Sequence, residues 1–560
     1  MRPAGDRARG RTGPPASAPG KAMDRRRKDE LRQAGLAVGG GLLLTAAFPK
    51  IALAAAAWVA LVPLLWALRE ARPAEAFRRA ALFGIAHFAS LLYWLVPTMV
   101  RYGGLPALPA VGILLLFASV LSLLFIAPAA AGLVLAVRRP RHLLLGLPLF
   151  WAGSEYLRSV LFTGFPWALL GTSQIGWLPF VQIADLAGPY GVSAVLAAAN
   201  AAVFLLLLAA SGRSWQGSNL TRRAAAGSAA AAACLAAAVW GYGVWRIAET
   251  DRRAAEAPRL RVAVIQGNIA QSMKWDPAFQ AATIDTYVRL SREAEAQAPE
   301  LIVWPESAAP FYFLAEIPPT RRLLEGIAGS RAHFLIGAPA FELRPGGAAD
   351  YFNSAFLVAP AEARVLGRYD KAHLVPYGEY TPFKEYLPFL GKMVEHVGDF
   401  TPGPEGRTLA MAGRTLGIQI CYEIIFPALA RALVANGAEL LITITNDAWY
   451  GKSAGPYQHF ALAVLRAVET RRALVRAANT GISAFIDPSG RVHEPTPLEV
   501  EALAVRDIPL LAGRTPYVAC GDLAPAAALA GAAGLALAGL RRRRREASQK
   551  DLPLSRRSVL

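Results

Sequence analysis

Cys421 follows an apolar run, Gly417 to Ile420, and precedes Tyr422 and Glu423. The aliphatic and β-branched residues predict a buried strand over 414–420, and apolar residues at helical spacing predict a helix over 423–437. A cysteine at such a turn lies at the strand's carboxyl end and faces helix amides, which lower a thiol pKa and favour a thiolate nucleophile. Taken alone, however, a cysteine favours the other interpretation, that of a small buried hydrophobic residue with a structural role. Its interpretation therefore depends on other residues.

Two further stretches place a charged side chain at or near a strand end. Residues 300–304 are mostly apolar and lead into Pro305 and Glu306, while Lys371 follows a short strand pattern and opens a loop rich in Pro and Gly. A cysteine that forms a thioester needs a base for its thiol. It also needs a donor for the oxyanion of the tetrahedral intermediate. Glu306 and Lys371 have the chemistry for these two roles.

Strand and helix patterns alternate over residues 248–516, the segment that contains all three residues. Strands are predicted at 260–267, 301–306, 333–338, 351–358, 365–369, 414–420, 439–445, 473–487 and 502–507, with helices at 278–294, 321–329, 423–437 and 457–472. This alternation implies an α/β sandwich with sheets in the middle and helices outside. A Gly-rich phosphate loop, HExxH and GxSxG are absent from the segment.

The composition is that of a membrane protein. The 560 residues are 54% hydrophobic and 18% charged, with a mean hydropathy of +0.33, whereas soluble domains contain roughly 25% charged residues. The net charge of +19 is clustered between apolar spans, which argues against nucleic-acid binding. Three widely separated cysteines predict neither a disulfide framework nor a metal site, and no cofactor is expected.

Eight apolar runs predict about eight transmembrane helices, since a bilayer core needs roughly 20 apolar residues per helix. They lie at 35–48, 51–68, 80–98, 107–136, 143–160, 189–211, 224–247 and 517–540. The arginine-rich connections alternate with poorly charged ones, so the positive-inside rule places both termini in the cytoplasm. The α/β segment then lies outside, which in a bacterium is the periplasm, and the protein belongs in the inner membrane.

These patterns divide the chain into five parts. We expect a disordered basic tail over 1–34, a seven-helix membrane domain over 35–247, the catalytic domain over 248–516, a last helix over 517–540 and a basic tail over 541–560. The arginine run 541–545 suits lipid headgroups better than nucleic acid, because it directly follows an apolar helix. The aromatic segment 164–171 is interpreted as an interfacial belt, with a lipid access path as the alternative.

Glu306, Lys371 and Cys421, in this order, resemble the catalytic triad of the nitrilase (carbon-nitrogen hydrolase) superfamily. The resemblance extends to the motifs 266–275, 375–380, 446–451 and 479–483. With seven apolar spans before the domain and one after it, residues 35–540 are similar to the apolipoprotein N-acyltransferase family. The long basic N-terminal tail is not part of that family's pattern. The resemblance implies a nitrilase-like α-β-β-α sandwich outside the membrane.

The resemblance also implies a two-step acyl transfer. Cys421 takes the sn-1 acyl chain of a phospholipid, typically phosphatidylethanolamine, as a thioester. The α-amino group of the diacylglyceryl-modified N-terminal cysteine of an apolipoprotein then accepts it as an amide, the last step of lipoprotein maturation. The expected partners are the donor lipid, the apolipoprotein and the bilayer. We expect a monomer, because anchorage in a membrane restricts the pairing of catalytic domains.

Further residues are expected to support the triad. Glu379 and Glu423 are expected to hold Lys371 in place, although Glu423 is equally well explained as a helix N-terminal carboxylate. Trp275 and Tyr422 match family positions tied to activity, with core packing as the alternative reading. Asn446 and Trp449 are expected to shape the site from the adjacent strand end.

Two rival functions remain open at this point. A membrane-tethered amidase or nitrilase would use the same triad on a soluble substrate, although seven preceding spans are excessive for a tether. A transporter with an inactive outer domain would carry ionisable residues along its path, and the predicted spans have almost none away from their ends.

Overall fold

A computed structural model describes residues 19–362, 364–382 and 399–550. Its first half is helical. The helices are α1 (Pro19–Ala46), α2 (Val62–Leu68), α3 (Pro73–Leu91), α4 (Leu95–Gly103), α5 (Ala107–Leu121), α6 (Ala127–Ala136), α7 (Leu143–Val160), α8 (Leu178–Val181), α9 (Ala184–Ala210) and α10 (Arg222–Glu256).

Four helices in the described part of the chain are long and apolar enough to cross a membrane: Ala107–Ala136, Ala184–Ala210, Arg222–Glu256 and Leu523–Ser548. A fifth candidate is the pair α3 and α4, which are bent by 53° relative to each other. The predicted runs 35–48, 51–68 and 143–160 also lie in helices. These helices are shorter or carry more polar residues, so composition and length alone do not mark them as spans.

The predicted N-terminal boundary at residue 34 is wrong. Residues 1–18 lie outside the described part, but α1 already begins at Pro19. Charged residues extend this helix by pairing along it and with its neighbour: Lys28 lies 2.8 Å from Asp24, and Arg79 of α3 lies 3.0 Å from Glu30. Helix-favouring charged side chains therefore outweigh the tail's lack of an apolar face.

The basic connections gather at one end of the helical part. Gln216 N donates to the carbonyl of Arg69 over 2.7 Å, and Arg138 lies 3.6 Å from Glu546 in the C-terminal helix. The first contact joins segments 69–79 and 213–223, and the second joins 138–141 and 541–546. Trp215 links the two pairs, since its Nε1 donates to the Val137 carbonyl over 2.8 Å.

The second half is an α/β domain. Its elements are β1 (Arg259–Gln266), α11 (Gln271–Lys274), α12 (Pro277–Glu295), β2 (Leu301–Val303), α13 (Ile317–Ile327), β3 (His333–Leu343), β4 (Ala349–Ala359), β5 (Arg364–Asp370), β6 (Thr408–Met411), β7 (Arg414–Ile420), α14 (Pro427–Ala435), β8 (Leu440–Thr445), α15 (Gly455–Thr470), β9 (Ala473–Ala478), β10 (Ala484–Ile486), β11 (Val492–His493) and β12 (Ala502–Pro509). Helices α16 (Pro516–Cys520) and α17 (Leu523–Lys550) follow it.

The strands form two six-stranded sheets within the described residues, in the orders β12-β1-β2-β3-β4-β5 and β11-β10-β9-β8-β7-β6. Apolar side chains such as Val262, Ile418 and Ile442 fill the space between the sheets. Helices α12 and α13 cover the outer face of the first sheet, and α14 and α15 cover that of the second. The predicted α-β-β-α sandwich is confirmed.

The predicted helix 423–437 is only partly right. Residues Cys421–Ile425 form a 3₁₀ turn, and α14 starts only at Pro427. Proline has no amide hydrogen to donate to a preceding helical turn, so it interrupts a helix that would run through it. At the first position of a helix this hydrogen has no partner within the helix, and proline is favoured there. Cys421 is therefore followed by a tight turn rather than by a long helix.

The α/β domain and the helical half of the chain share one apolar core, which includes α14, α15 and the helices α1 to α10. Buried polar contacts strengthen this junction. Asp185 of α9 is fully buried and accepts hydrogen bonds from Tyr242, Arg246 and Arg471 over 2.7 to 3.1 Å. The sandwich is thus packed onto the helices rather than tethered to them.

The aromatic segment 164–171 contributes to this junction. Trp167 is 1% exposed and stacks on His459 of α15, with ring centroids 5.6 Å apart. Its Nε1 donates to Gln458, which also accepts from Trp94. The interpretation of Trp167 as part of an interfacial belt is therefore wrong, since its indole is enclosed between the two parts of the protein.

Candidate active site

Glu306, Lys371 and Cys421 meet where strands of both sheets end. Glu306 follows β2 by three residues, and Lys371 directly follows β5 of the same sheet; Cys421 directly follows β7 of the opposite sheet. The turn at Glu306 lies so close to β3 that a β-carbon on Gly337 would be 2.8 Å from the Glu306 Cα. The glycine at position 337 lets the backbone of Glu306 pack directly against β3.

The carboxylate of Glu306 is held at both oxygens. Oε1 accepts a hydrogen bond from Asn353 Nδ2 over 2.8 Å, and Oε2 accepts one from the backbone N–H of Asn446 over 2.9 Å. Asn446 is itself fixed by Gln271 and Asn479. The carboxylate is thus oriented, and only 6% of Glu306 is exposed.

Lys371 is buried between two carboxylates. Its Nζ lies 2.9 Å from Glu379 Oε1 and 3.6 Å from Glu306 Oε1. Burial would lower the pKa of this amine, but the charges of Glu379 and Glu306 raise it above its ordinary value. Glu379 is fixed in turn by Asn353 Nδ2 and by the N–H of Val375. Lys371 is therefore a permanently charged ammonium group.

Cys421 is 6% exposed, and its backbone is left-handed with φ of +53°. The predicted lowering of its thiol pKa is wrong. Burial and the neighbouring charge of Glu306 raise the pKa of Cys421, and Lys371 opposes this only in part. The resting group is a neutral thiol that needs a base.

Glu423 links the carboxyl end of β5, which precedes Lys371, to the carboxyl end of β7, which precedes Cys421, through hydrogen bonds. Its carboxylate accepts hydrogen bonds from the N–H groups of Ala372 and His373 on one side and from Ile420 N on the other. Tyr369 donates to both of its oxygens over 2.9 and 3.0 Å. Glu423 thus fixes the backbone next to Lys371, whereas Glu379 contacts the Lys371 ammonium group itself.

On its other flank, Cys421 contacts His459. The imidazole Nε2 lies 3.1 Å from the Cys421 carbonyl oxygen, and Nδ1 faces Asp447 and Arg476 over 3.0 and 3.1 Å. All three side chains are fully buried. Burial and Arg476 lower the pKa of His459, so it is a neutral imidazole that donates from Nε2 to the Cys421 carbonyl.

Sequence reasoning missed Lys274 and Asn353. Lys274, the last residue of α11, is 2% exposed and donates to the Glu306 carbonyl over 2.9 Å. Burial lowers its pKa to about 8, although the nearby charges of Glu306 and Cys421 act in the opposite direction. A lysine between Met273 and Trp275, and an asparagine within the apolar strand β4, were the available signals.

The remaining predicted residues surround this centre at different depths. Tyr422 is buried against Phe426 and His373. Trp275 is half-buried directly after Lys274, and half-buried Trp449 packs edge-on against Tyr102 of α4. Trp449 therefore lies at the junction between the α/β domain and the helical half of the chain.

The arrangement can perform cysteine-based acyl transfer. The neutral thiol of Cys421 lies near the oriented carboxylate of Glu306, which can accept its proton. The buried ammonium group of Lys371 can stabilise the oxyanion of a tetrahedral intermediate. No group of three or more His, Cys, Asp and Glu side chains that could hold a metal ion occurs in residues 19–362, 364–382 and 399–550.

Each half of the chain matches a known protein family. Residues 40–202 match the model of the apolipoprotein N-acyltransferase N-terminal domain, and residues 261–516 match that of the carbon-nitrogen hydrolases. The two matched regions correspond to the helical part and to the sandwich.

Curated relatives match nearly the whole chain. The apolipoprotein N-acyltransferase of Geobacter metallireducens is 42% identical over 514 residues, which cover 91% of this chain and 95% of the relative. That of Gloeobacter violaceus is 38% identical over 94% of this chain and 99% of its own length. Among solved structures, the Nesterenkonia amidase of the nitrilase superfamily is 23% identical, covers 47% of this chain and 95% of its own, and has a TM-score of 0.34.

Proposed function

The chain belongs to the apolipoprotein N-acyltransferase family of bacterial membrane enzymes, which N-acylate lipoproteins, and we propose that Cys421 carries the acyl group between donor and acceptor. The observation that carries this proposal is the meeting of Cys421, Glu306 and Lys371 in a domain whose core continues into apolar helices. A water-soluble hydrolase has no need of such a continuous junction.

The first half-reaction loads the enzyme. Glu306 accepts the thiol proton, and the Cys421 sulfur attacks the sn-1 ester carbonyl of a phospholipid, for which we propose phosphatidylethanolamine. Lys371 stabilises the oxyanion of the tetrahedral intermediate. When the ester C–O bond breaks, the departing glycerol oxygen takes the proton from Glu306, which leaves a thioester and a lysophospholipid.

The second half-reaction delivers the acyl chain. The neutral α-amino group of the diacylglyceryl-modified cysteine attacks the thioester, and Glu306 accepts a proton from the attacking nitrogen. The C–N bond forms, the C–S bond breaks, and the proton returns from Glu306 to Cys421. Thioesters react readily with amines, so the covalent intermediate divides one difficult transfer into two easier ones.

The roles of the remaining residues follow from their contacts. Glu379 keeps Lys371 charged and in place, Glu423 fixes the backbone between Lys371 and Cys421, and Asn446 orients Glu306. Tyr422, Trp275 and Trp449 form the apolar surroundings in which the acyl chain is held.

The proposed topology has eight membrane crossings, with the predicted domain boundaries after residue 34 adjusted to the observed helices. The basic segments at one end of the helices support a cytoplasmic location for both termini. The sandwich at the other end is then periplasmic, and the bilayer is the inner membrane. We propose that the enzyme acts as a monomer, because the site is built from a single chain.

The test is the intact mass of the detergent-purified enzyme after incubation with phosphatidylethanolamine. We expect one fatty-acyl increment that is absent in Cys421→Ala and is discharged by a diacylated lipopeptide much faster than by water. If the wild-type enzyme gains no mass, the phospholipid donor is wrong. If water discharges the adduct as fast as the lipopeptide does, the domain acts as a hydrolase.

A further inference from the structure

Two cations of the membrane part converge on one turn beside the active site. Lys50 lies in the connection after α1, and its Nζ donates to the carbonyl oxygen of Lys452 over 3.4 Å. Arg101, near the end of α4, lies so close to Gly451 that a β-carbon there would be 3.6 Å from Nη1. Residues 50 and 101 are distant in sequence, but they flank the consecutive residues Gly451 and Lys452.

This turn is firmly attached to the helices. Thr98 donates to the carbonyl of Trp449 over 2.8 Å, and Tyr102 donates to that of Ala448 over 2.9 Å. Both donors belong to α4, as does Arg101. These contacts fix the backbone of α4 against the turn, so the Arg101 guanidinium is held close enough to bind a ligand there.

The turn is also connected to the nucleophile. Asn446, at its start, donates to Glu306, and the ring of Tyr450 lies 5.9 Å from that of His459. His459 contacts the Cys421 carbonyl. The two cations thus lie at the rim of the same site, on the side of the membrane helices.

Within residues 19–362, 364–382 and 399–550, no carboxylate neutralises the two charges at this rim. Lys50 and Arg101 are exposed, and neither has a carboxylate partner among the residues that the structure describes. Lys452 pairs with Glu499, so that pair adds no net charge. Lys50 also lies over the ring of Tyr457, 5.6 Å from its centroid, and this contact leaves its charge in place. Two positive charges without a carboxylate partner among the described residues thus remain where the helices meet the sandwich.

We propose that Lys50 and Arg101 bind the phosphodiester of the donor phospholipid while its sn-1 ester lies at Cys421. A guanidinium and an ammonium group are the side chains that bind phosphate oxygens best. In the donor, only the short glycerol unit separates this phosphate from the ester under attack. The diacylglyceryl acceptor contains no phosphate, so the rim serves the first half-reaction alone. This inference rests on the proposed phospholipid donor.

The experiment compares two acyl donors in the full-length Lys50→Gln/Arg101→Gln variant. One donor is phosphatidylethanolamine, and the other is a p-nitrophenyl fatty-acyl ester, which lacks a phosphate. We expect the phospholipid concentration for half-maximal acylation of Cys421 to rise about tenfold, with little change in the rate at saturation. Acylation by the nitrophenyl ester and discharge by a diacylated lipopeptide should be unchanged.

Two controls complete the comparison. Arg331→Gln removes an exposed cation next to the amino end of β3, the opposite end of the strands from the site, and should behave as wild type. Lys50→Arg/Arg101→Lys keeps both charges and should restore most of the phospholipid affinity.

Three results would overturn the inference: unchanged acylation by the phospholipid, an equal loss with both donors, or slower discharge by the lipopeptide. Failure of the proposed function gives a different pattern, since the wild-type enzyme would then accept the nitrophenyl ester but not phosphatidylethanolamine.

Discussion

Cys421 has a cluster of buried charges on each flank, and the two clusters are built for different tasks. On one flank, Lys371 lies between the carboxylates of Glu306 and Glu379. On the other, Asp447 lies between Arg476 and His459. The first cluster uses a lysine and directs titratable groups at the reacting atoms. The second uses an arginine and contacts only the nucleophile's backbone.

The difference shows that one cluster beside Cys421 takes part in the reaction, whereas the other holds the Cys421 backbone in place. Burial would raise the pKa of Asp447, but the charge of Arg476 lowers it, so this carboxylate stays charged. Glu306, in contrast, accepts its hydrogen bonds from two neutral amide groups, and its cation, Lys371, lies farther away at 3.6 Å. This carboxylate can therefore act as a base. Substitutions on the two flanks should therefore change different observables.

The largest effect is expected from Glu306→Gln. The amide oxygen of glutamine can still accept one of the two hydrogen bonds, from Asn353 or from Asn446, but its NH2 group then faces the other donor, and the side chain cannot take the thiol proton. Formation of the acyl-enzyme should fall about 100- to 10,000-fold, as measured by intact mass against time. The thermal unfolding midpoint should stay close to wild type. A variant that retains a tenth of the wild-type rate would show that Glu306 is not the base.

On the positioning flank, Arg476→Met should act mainly on stability. It leaves the buried carboxylate of Asp447 without its cation, which costs about 3–5 kcal/mol. We expect a marked fall in the unfolding midpoint, while the pH profile of acylation by the folded variant keeps its shape.

The matched control for this substitution is Arg322→Met. Arg322 pairs with Asp285 on the exposed face of α12 and α13, where water and salt screen the ion pair and it contributes little to stability. If Arg476→Met is no less stable than Arg322→Met, the second cluster is not a structural support.

A smaller effect is expected from Lys274→Met, and it depends on pH. With a pKa lowered to about 8 from 10.5, Lys274 is charged at pH 7 and neutral at higher pH. Its charge favours the nearby thiolate, so the variant should acylate about tenfold more slowly at pH 7. Above pH 8, where Lys274 becomes neutral, the ratio of the wild-type rate to the variant rate should therefore fall.

The same pKa shift has a consequence for stability. Between about pH 8 and 10.5 the unfolded chain binds more protons at Lys274 than the folded one, so the wild-type unfolding free energy should rise with pH in this window. Lys274→Met should lack this increment. An identical pH dependence of unfolding in both proteins would contradict the assignment.

The smallest effect is expected from Trp167→Phe. Phenylalanine keeps the stacking on His459 but loses the hydrogen bond to Gln458, which still accepts from Trp94. Losing one such bond costs about 1 kcal/mol of folding stability. The acylation rate should fall only slightly, because the stacking that supports His459 is kept. Trp167→Ala, which also removes the stacking, should be clearly slower. Equal rates for the two variants would show that the stacking does not support Cys421.

Local sequence patterns were sufficient for much of the fold and for the catalytic candidates. Helices 107–136 and 143–160 begin and end where the apolar runs do, and the strand before Cys421 ends at the predicted residue. These features depend on neighbours in sequence, such as proline, glycine and apolar periodicity.

Contacts between distant residues could not be predicted in this way. Asn353 bonds Glu306 and Glu379 across 47 and 26 residues, and Trp167 stacks on a histidine almost 300 residues later. The direction of the thiol pKa shift was predicted wrongly, because helix amides were the only influence visible in the sequence, whereas burial dominates in a site this enclosed. A single sequence contains no information on which distant side chains enclose a given strand end.

The apolar core that runs from the sandwich into the helices has a practical consequence for anyone who works with this protein. A fragment of residues 259–509, cut to isolate the catalytic domain in water, would uncover the outer faces of α14 and α15 and leave Arg471 without Asp185. Such a fragment is expected to aggregate rather than to fold as a small soluble enzyme. Inhibitor screens should therefore use the intact protein in detergent or lipid nanodiscs, where both sides of that core are present.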